Sequence, residues 1–228
     1  MATLRARDEG QKLARKHTLM DAGWSLFLES DGNLPSVAQV VKKAGLAKGT
    51  FYLYFKTKEE LFLALLSDAV ERFFDKIKDE LSTPSINVDS LIDTFVKQIS
   101  EDQALTRLGC IMSGVIEQNT EENVLLHFKL KMVQMLFDVG EMISVAVENA
   151  IKEGKPYNHI DKGTAARLVL RSYAAFVGVA QMAPAPNNIG YDAPEFSPVK
   201  LDIQADTKAI MRALWQEAIL ACDSKPQF

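Results

Sequence analysis

The stretch SVAQVVKKAGLAKGTFYLYFKTKEEL, residues 36–61, decides the fold. It predicts two short helices joined by a turn, with a third helix directly after them. Ser36 is placed to cap the first helix, because a serine hydroxyl can accept a hydrogen bond from a first-turn amide. Gly45 tolerates the left-handed backbone that the turn requires. The pattern indicates a helix-turn-helix whose second helix covers residues 48–55, and Thr57 is placed to cap the third.

The second short helix has the residue types that contact DNA. Phe51 and Phe55 lie four residues apart, so both are expected to face the core. Lys48, Tyr52 and Tyr54 then project elsewhere. A helix in a major groove needs a cation, hydroxyl groups on rigid side chains, and a small residue where its backbone meets DNA. The alternative is a small buried helix with aromatic packing.

Three segments carry a resemblance to a known family. They are LMDAGWSLF at 19–27 followed by DG at 31–32, then 36–46, then KGTFYLYFKTKEEL at 48–61. In residue type and spacing they resemble the tetracycline-repressor (TetR/AcrR) transcriptional regulators over residues 12–66. The chain departs from the family pattern at Val41, at Ala47, where a serine is frequent, and at Leu53, where a polar or aromatic residue is frequent.

The resemblance implies an all-α fold with two domains. Residues 1–60 would form an N-terminal three-helix helix-turn-helix domain, and residues 61–228 a C-terminal helical domain for ligand binding and dimerisation. It also implies a homodimer, double-stranded operator DNA as partner, and an unidentified small-molecule effector. The residues expected at the DNA are Ser36, Lys48, Gly49, Thr50, Tyr52, Leu53, Tyr54 and Lys58. Among them, Lys58 and Tyr54 are assigned to phosphates, and Lys48, Thr50 and Tyr52 to base edges.

Composition favours a soluble chain of one or two domains. The 228 residues are 47% hydrophobic and 25% charged, which is ordinary for a globular protein. No apolar run reaches the ~18 residues of a membrane span, and the N-terminus does not have the pattern of a signal peptide. Cys110 and Cys222 are too few for a disulfide framework. These features predict a cytoplasmic protein that is not in a membrane.

The charge is distributed unevenly along the chain. Residues 1–60 contain ten Lys or Arg against seven Asp or Glu, whereas the remainder contains 16 against 23. The net charge of −4 therefore divides into +3 for the N-terminal part and −7 for the rest. This asymmetry is typical of a basic binding end on an acidic body.

Nearly all of the chain is predicted to be helical. Outside the helix-turn-helix, helices are expected at about 8–30, 58–81, 88–101, 105–118, 121–153, 161–182 and 203–222. The helix at 121–153 is apolar on most sides, so we expect other helices to wrap around it. Four prolines between residues 183 and 200 predict a long loop. The eighth and last helices match the pair that forms the dimer interface in the family.

Catalytic motifs are not found in the sequence. It has no phosphate loop, no nucleotide-binding glycine pattern, no His-Glu-x-x-His and no Cys-x-x-Cys. His17, His127 and His159 are scattered, so neither a metal nor a cofactor is predicted. A helical enzyme is therefore unsupported.

Methionine and aromatic residues near a few polar groups can line a small-molecule pocket. The candidates are Phe95, Met112, Glu117, Met135, Arg171, Tyr173 and Phe176, although core or surface is the alternative for each. Cys110, near the start of the predicted sixth helix, is a candidate sensor thiol if helix-terminal amides lower its pKa. Its apolar neighbours favour a buried, inert thiol.

Two functions from different classes follow. The first is a ligand-responsive transcriptional regulator, in this family most often a repressor. The second is a helical architectural or interaction protein that binds DNA without sensing a ligand. Loss of DNA binding that depends on ligand concentration separates the two.

Overall fold

Nine α-helices, and no β-strand, are found in the part of the chain that this computed structural model describes, residues 2–30, 33–82, 87–183 and 194–220. The all-α prediction is confirmed. The helices are α1 (Ala2–Glu29), α2 (Val37–Ala44), α3 (Lys48–Tyr52), α4 (Lys58–Leu81), α5 (Val88–Glu101), α6 (Gln103–Ile111), α7 (Glu122–Lys152), α8 (Lys162–Met182) and α9 (Ile203–Ile219). The helix α1 starts six residues earlier than predicted, and α9 ends before the predicted terminus at 222.

The ends of α2 follow from two residues. Ser36 Oγ accepts a hydrogen bond from the Gln39 amide at 3.3 Å, and Gln39 Oε1 accepts one from the Ser36 amide at 2.8 Å. This reciprocal capping box satisfies two donors that the helix itself leaves unpaired. Gly45 ends the helix in the left-handed region, at φ +66°, and its amide donates to the Lys42 carbonyl at 3.3 Å. Both expectations for this turn are confirmed.

The helix α3 is shorter than predicted: it ends at Tyr52, not at residue 55. The amides of Tyr54 and Phe55 both donate to the Phe51 carbonyl at 3.0 Å. The chain must turn here, because Thr57 Oγ1 already caps α4 by accepting the Glu60 amide at 3.1 Å. The predicted cap at Thr57 is therefore confirmed.

The predicted helix at 105–118 is not a single α-helix. After α6 the backbone widens into a π-helical turn, Met112–Ile116, and then tightens into a 3₁₀ turn, Glu117–Asn119. Side chains satisfy the carbonyls at its end, since Asn119 Nδ2 donates to Val115 and Thr120 Oγ1 to Ile116 at 2.8 and 2.7 Å. A period-based prediction cannot detect such an insertion, because the apolar pattern continues through it.

The chain divides into two compact units. The first combines residues 1–69 with residues 107–128, and the second combines residues 70–106 with residues 129–228. The predicted domain ranges, 1–60 and 61–228, stay a prediction.

The core of the first unit is aromatic and aliphatic. Its large, fully buried side chains include Leu19, Phe27, Phe51, Leu61 and Phe62. The rings of Phe27 and Phe62 lie 5.4 Å apart between centroids. This core joins α1 to α4 and holds the short helices beside them.

In the second unit, α8 packs on α9 and α5 packs on α9. Trp215 is 1% exposed, and its indole N–H donates to Ser172 Oγ at 2.9 Å. At Gly140 of α7, an added Cβ would lie 2.4 Å from the Lys162 carbonyl oxygen. The absence of a side chain at Gly140 therefore lets α7 approach the start of α8 closely.

The expectation that other helices wrap α7 is wrong for the single chain. The buried residues of the part of α7 in the second unit form one face, namely Leu136, Val139, Gly140, Ile143, Val147 and Ala150. Leu130, Val133 and Phe137 are 60%, 44% and 44% exposed. An apolar composition therefore does not enclose this helix within one chain.

The proline-rich segment is partly described. Residues 184–193, including Pro184 and Pro186, lie outside the described residues, as does Cys222. Pro194–Val199 forms a 3₁₀ helix where the sequence predicted a loop. Within the described ranges, no helix has both the length and the apolar character to cross a membrane.

Candidate nucleic-acid interface and pocket residues

One face of α3 and its C-cap is open to solvent. Lys48 and Gly49 are exposed there, and the side chains of Tyr52 and Leu53 are 50% and 78% exposed. An added Cβ at Gly49 would have no neighbouring atom within 4 Å, so its backbone also faces open space. This face therefore exposes four groups side by side: the Lys48 ammonium, the Tyr52 phenol, the Leu53 isobutyl group and the Gly49 backbone.

Two buried aromatic residues hold this face in place. Phe51 is fully buried and Phe55 is 4% exposed, and their ring centroids are 5.6 Å apart. The Tyr52 ring packs edge-on against Phe51 at 5.5 Å. Thr50 and Tyr54 are half-buried at the margin of the face. The predicted core role of Phe51 and Phe55 is confirmed.

The other two predicted DNA residues stand at helix N-termini. Ser36 is the N-cap of α2, so its hydroxyl accepts a backbone amide. Lys58 opens α4, where its ammonium donates to the Leu34 carbonyl at 3.3 Å and lies 4.0 Å from the Glu59 carboxylate. Helix N-termini suit phosphate groups. The DNA-binding role of all eight predicted residues stays a prediction.

Lys56 is a cation that sequence reasoning did not place at the interface. Its ammonium donates to Glu121 Oε2 at 2.6 Å, and two thirds of its side chain is exposed. This partner raises the pKa of Lys56, so the ammonium stays charged. The position of Lys56 directly after Phe55 could have indicated a cation near α3. Its ion pair with Glu121 could not be predicted, because the two residues are 65 positions apart in the sequence.

Further contacts tie residues 107–121 to the helix-turn-helix part of the first unit. The Arg107 guanidinium donates to the Ser30 carbonyl at 3.0 Å and lies 4.9 Å from the centroid of the Phe27 ring. Thr57 Oγ1 donates to the Asn119 carbonyl at 3.1 Å. These contacts hold the end of α1 and the residue that caps α4.

Replacement of Glu121 by Gln should strengthen DNA binding. The change removes the negative charge that pairs with the Lys56 ammonium, so that cation is more available to phosphates. Affinity should rise, and the slope of log affinity against log salt should steepen by up to about one unit. Fluorescence anisotropy on labelled DNA at several salt concentrations measures both. Glu71→Gln, which makes the same charge change at the Lys131 ion pair, is the control; an equal effect there would contradict a local role for Lys56.

The predicted pocket residues are divided between the two compact units. Met112 and Glu117 belong to the first unit, in the π and 3₁₀ turns. The other five belong to the second unit. There, Phe95 and Phe176 are fully buried core residues, Met135 is half-buried, and Arg171 is exposed on α8, while Tyr173 lines a cavity. The seven-residue pocket stays a prediction.

The cavity at Tyr173 has a volume of about 30 Å³. Its lining is aliphatic and aromatic: Val70, Phe73, Phe74, Leu105, Met132, Leu136, Val169, Leu170 and Tyr173. The Tyr173 hydroxyl is turned to the Leu105 carbonyl, to which it donates at 3.3 Å. The space is that of about one water molecule. Sequence reasoning found only Tyr173 of these residues, because the others look like ordinary core.

Cys110 does not lie at a helix start. It is the next-to-last residue of α6, so the amides that would stabilise a thiolate are at the other end. Burial raises the pKa of the Cys110 thiol, which lowers the thiolate fraction at neutral pH. The location and the direction of the shift both favour the inert interpretation.

Comparison with known proteins gives two family matches. Residues 19–65 match the family model described as bacterial regulatory proteins, tetR family. Residues 63–216, more than half of the chain, match the model described as the tetracyclin repressor-like C-terminal domain. The chain belongs to the tetR family of bacterial regulatory proteins.

Among individual relatives, this tetR-family chain is 27% identical over 90 residues to the fatty acid metabolism regulator protein of Bacillus subtilis. That match covers 40% of the chain and 46% of the relative, so the chain spans about half the length of this curated relative. The curated relatives that match are named as regulators.

Two solved structures share the fold. One is the transcriptional regulator FadR from Bacillus subtilis in complex with stearoyl-CoA, with 17% identity, a TM-score of 0.55, and coverage of 87% of this chain and 96% of that one. The other is SmeT, the repressor of the Stenotrophomonas maltophilia multidrug efflux pump SmeDEF, with 16% identity, a TM-score of 0.57, and coverage of 93% and 94%. At this identity, the likeness concerns the fold.

Proposed function

We propose that this tetR-family chain is a homodimeric transcriptional repressor that binds a palindromic operator and is released by a small molecule. The single observation that carries the proposal is the exposed face of α3, on which Lys48, Gly49, Tyr52 and Leu53 stand over a buried aromatic base. Recognition helices of this kind enter the major groove with their exposed face towards the bases. The repressor acts where the chromosome is, in the cytoplasm.

Charge and helix ends support DNA as the partner. The first 60 residues carry a net charge of +3 in a chain of −4, so the positive charge is at the end that holds α3. The N-termini of α2 and α4, at Ser36 and Lys58, provide backbone amides and a cation for phosphates on either side of the groove.

A homodimer is required because one recognition helix reads only a few base pairs. We propose α8 and α9 as the dimerisation helices. Leu170 on α8 and Ile210 on α9 are 43% and 40% exposed in the single chain, and the small Ala174, one turn after Leu170 on α8, is also exposed. Apolar and small side chains on two packed helices suit close association with a second copy.

The effector is proposed to be a long-chain fatty acyl compound, and stearoyl-CoA is the probe of choice. The cavity at Tyr173 is lined by apolar side chains. One relative is a fatty acid metabolism regulator protein, and one structure with the same fold was solved in complex with stearoyl-CoA. A volume of about 30 Å³ cannot hold an acyl chain. An acyl chain that enters the cavity must therefore push core side chains apart, so ligand binding would change the packing of the helices around the cavity.

The cations around α3 should divide into two roles. Lys48→Ala should lose about 1–3 kcal/mol of discrimination between operator and random DNA, because its base contact is removed. Lys58→Ala should weaken binding to all sequences alike and lower the salt slope by roughly one unit. Anisotropy titrations on both DNAs over a salt series measure the two effects. An unchanged slope for a folded Lys58→Ala protein would contradict its phosphate assignment.

Selection of bound sequences from random double-stranded DNA, followed by footprinting, tests the proposal. A two-fold symmetric site is expected. A single asymmetric half-site bound by a monomer would reject the homodimer, and no enriched sequence would reject the repressor.

Linkage tests the effector. If stearoyl-CoA releases the protein from the selected site, operator DNA must weaken stearoyl-CoA binding by the same factor. Equal ligand affinities with and without operator would show that the acyl compound is not an inducer. DNA binding that no ligand changes would instead favour the architectural alternative.

A further inference from the structure

Leu53 is the most exposed large apolar side chain among the described residues, at 78%. Scattered exposed leucines are common in soluble proteins and need no explanation. Leu53 differs because it belongs to the exposed face of α3 and its C-cap, together with Lys48, Gly49 and Tyr52. At this position, an apolar side chain is part of the proposed reading surface.

The fold fixes the direction of Leu53. It is the C-cap of α3 with helical dihedral angles, φ −75° and ψ −20°, and its amide donates to the Thr50 carbonyl at 3.3 Å. Phe51 on one side and Phe55 on the other are buried. Because the chain is anchored two residues before and two residues after Leu53, the isobutyl group cannot turn inward without withdrawing an aromatic ring from the core.

We infer that Leu53 reads a pyrimidine C5-methyl group in the operator, and that this group is the methyl of a thymine. The inference rests on the proposed function, in which α3 enters the major groove. Leucine has no hydrogen-bonding group, so it can recognise a base edge only by apolar contact. In the major groove, the apolar group that a standard base pair displays is the thymine methyl. The other source of the same chemistry is 5-methylcytosine, which the experiment separates.

The expected size of the effect follows from the burial of one methyl group. Contact with one carbon of this kind changes affinity about fourfold. Two symmetric half-sites give roughly fifteenfold for the dimer if the contacts are independent. The contact has no charge, so its loss should leave the salt slope unchanged.

The experiment uses the full-length protein and the operator selected from random DNA. Each thymine is replaced in turn by deoxyuridine in both half-sites, which removes the methyl and keeps every hydrogen-bonding group. For the wild type, one symmetric thymine position should show a loss of roughly fifteenfold. Leu53→Ala should bind the original operator about as weakly as the wild type binds the deoxyuridine operator, and should not distinguish the two.

Two further arms complete the design. Leu130→Ala, a change of another leucine that is 60% exposed, should keep the full deoxyuridine effect. A cytosine·guanine pair at the critical position, with and without C5 methylation, separates the two methyl sources. Assignment to thymine predicts weaker binding to the methylated cytosine site than to the thymine site, because that pair presents a different hydrogen-bonding pattern to Lys48, Thr50 and Tyr52, the residues assigned to base edges. Equal binding to methylated cytosine and thymine would overturn the assignment to thymine.

Failure of this inference is distinct from failure of the proposed function. If an operator is selected but no thymine replacement affects the wild type more than Leu53→Ala, the methyl contact does not exist. If no DNA sequence is enriched, the proposed function fails together with it. Because Leu53 is exposed, Leu53→Ala should fold normally, which circular dichroism verifies before binding is measured.

Discussion

Replacement of Phe51 by alanine should lower the free energy of unfolding of the first unit by about 3–5 kcal/mol. Phe51 is fully buried, and its ring contacts those of Tyr52 and Phe55 at 5.5 and 5.6 Å between centroids. Removing the ring opens a cavity under a helix of only five residues. Operator binding should be lost as well, since α3 has no other large anchor of its own.

Urea unfolding followed by circular dichroism measures the stability of this variant, and anisotropy measures its DNA binding. Leu53→Ala is the matched control on the same helix end. Its stability should change by less than about 0.5 kcal/mol, because the side chain is exposed. If Phe51→Ala were as stable as Leu53→Ala, the aromatic base would not support α3.

Replacement of Trp215 by alanine should have a comparable effect on the second unit, about 3–5 kcal/mol. The indole is 1% exposed between α9 and α8, and its N–H donates to Ser172 Oγ. Since α8 and α9 are also the proposed dimerisation helices, this variant should be a weaker dimer. Sedimentation velocity over a range of concentrations measures the association.

Two milder changes identify the cause. Trp215→Phe keeps most of the apolar volume but removes the N–H donor, so it should cost less than the alanine variant. Ser172 keeps its own hydrogen bond to the Leu168 carbonyl at 2.8 Å in either case. Glu217→Ala, at an exposed position of α9, should leave stability and association unchanged. If Trp215→Ala matched Glu217→Ala, packing between α8 and α9 would not stabilise this unit.

The parts of the fold that local signals determine could be predicted from the sequence. The ranges of α4 and α5 were predicted to the residue, as was the end of α8. Ser36, Gly45 and Thr57 act on atoms within a few residues of themselves. Such capping and turn chemistry is visible in the sequence, and the helix-turn-helix is built from it.

What the sequence did not reveal depends on distant partners. Arg107 meets Ser30 across 77 residues, and Lys56 meets Glu121 across 65. The hydrophobic pattern likewise does not show whether an apolar helix is covered by other helices of its own chain. In α7 part of the apolar surface is exposed, for example at Phe137. The residues that line the cavity were missed for a similar reason. Val169 and Leu136 have the same residue types as ordinary core, and only the three-dimensional structure shows that the space beside them is empty.

The π-helical turn at Met112–Ile116 has a consequence for how the length of this chain can vary between relatives. Such a turn holds one residue more than an α-helical turn, and here it lies between α6 and the 3₁₀ turn Glu117–Asn119. Loss of one residue here would return the turn to α-helix and leave Arg107 and Asn119 facing their partners. Single-residue gaps in alignments of closely related chains should therefore fall within 112–116, and rarely in α4 or α5, where the same loss would rotate every later side chain by about 100°.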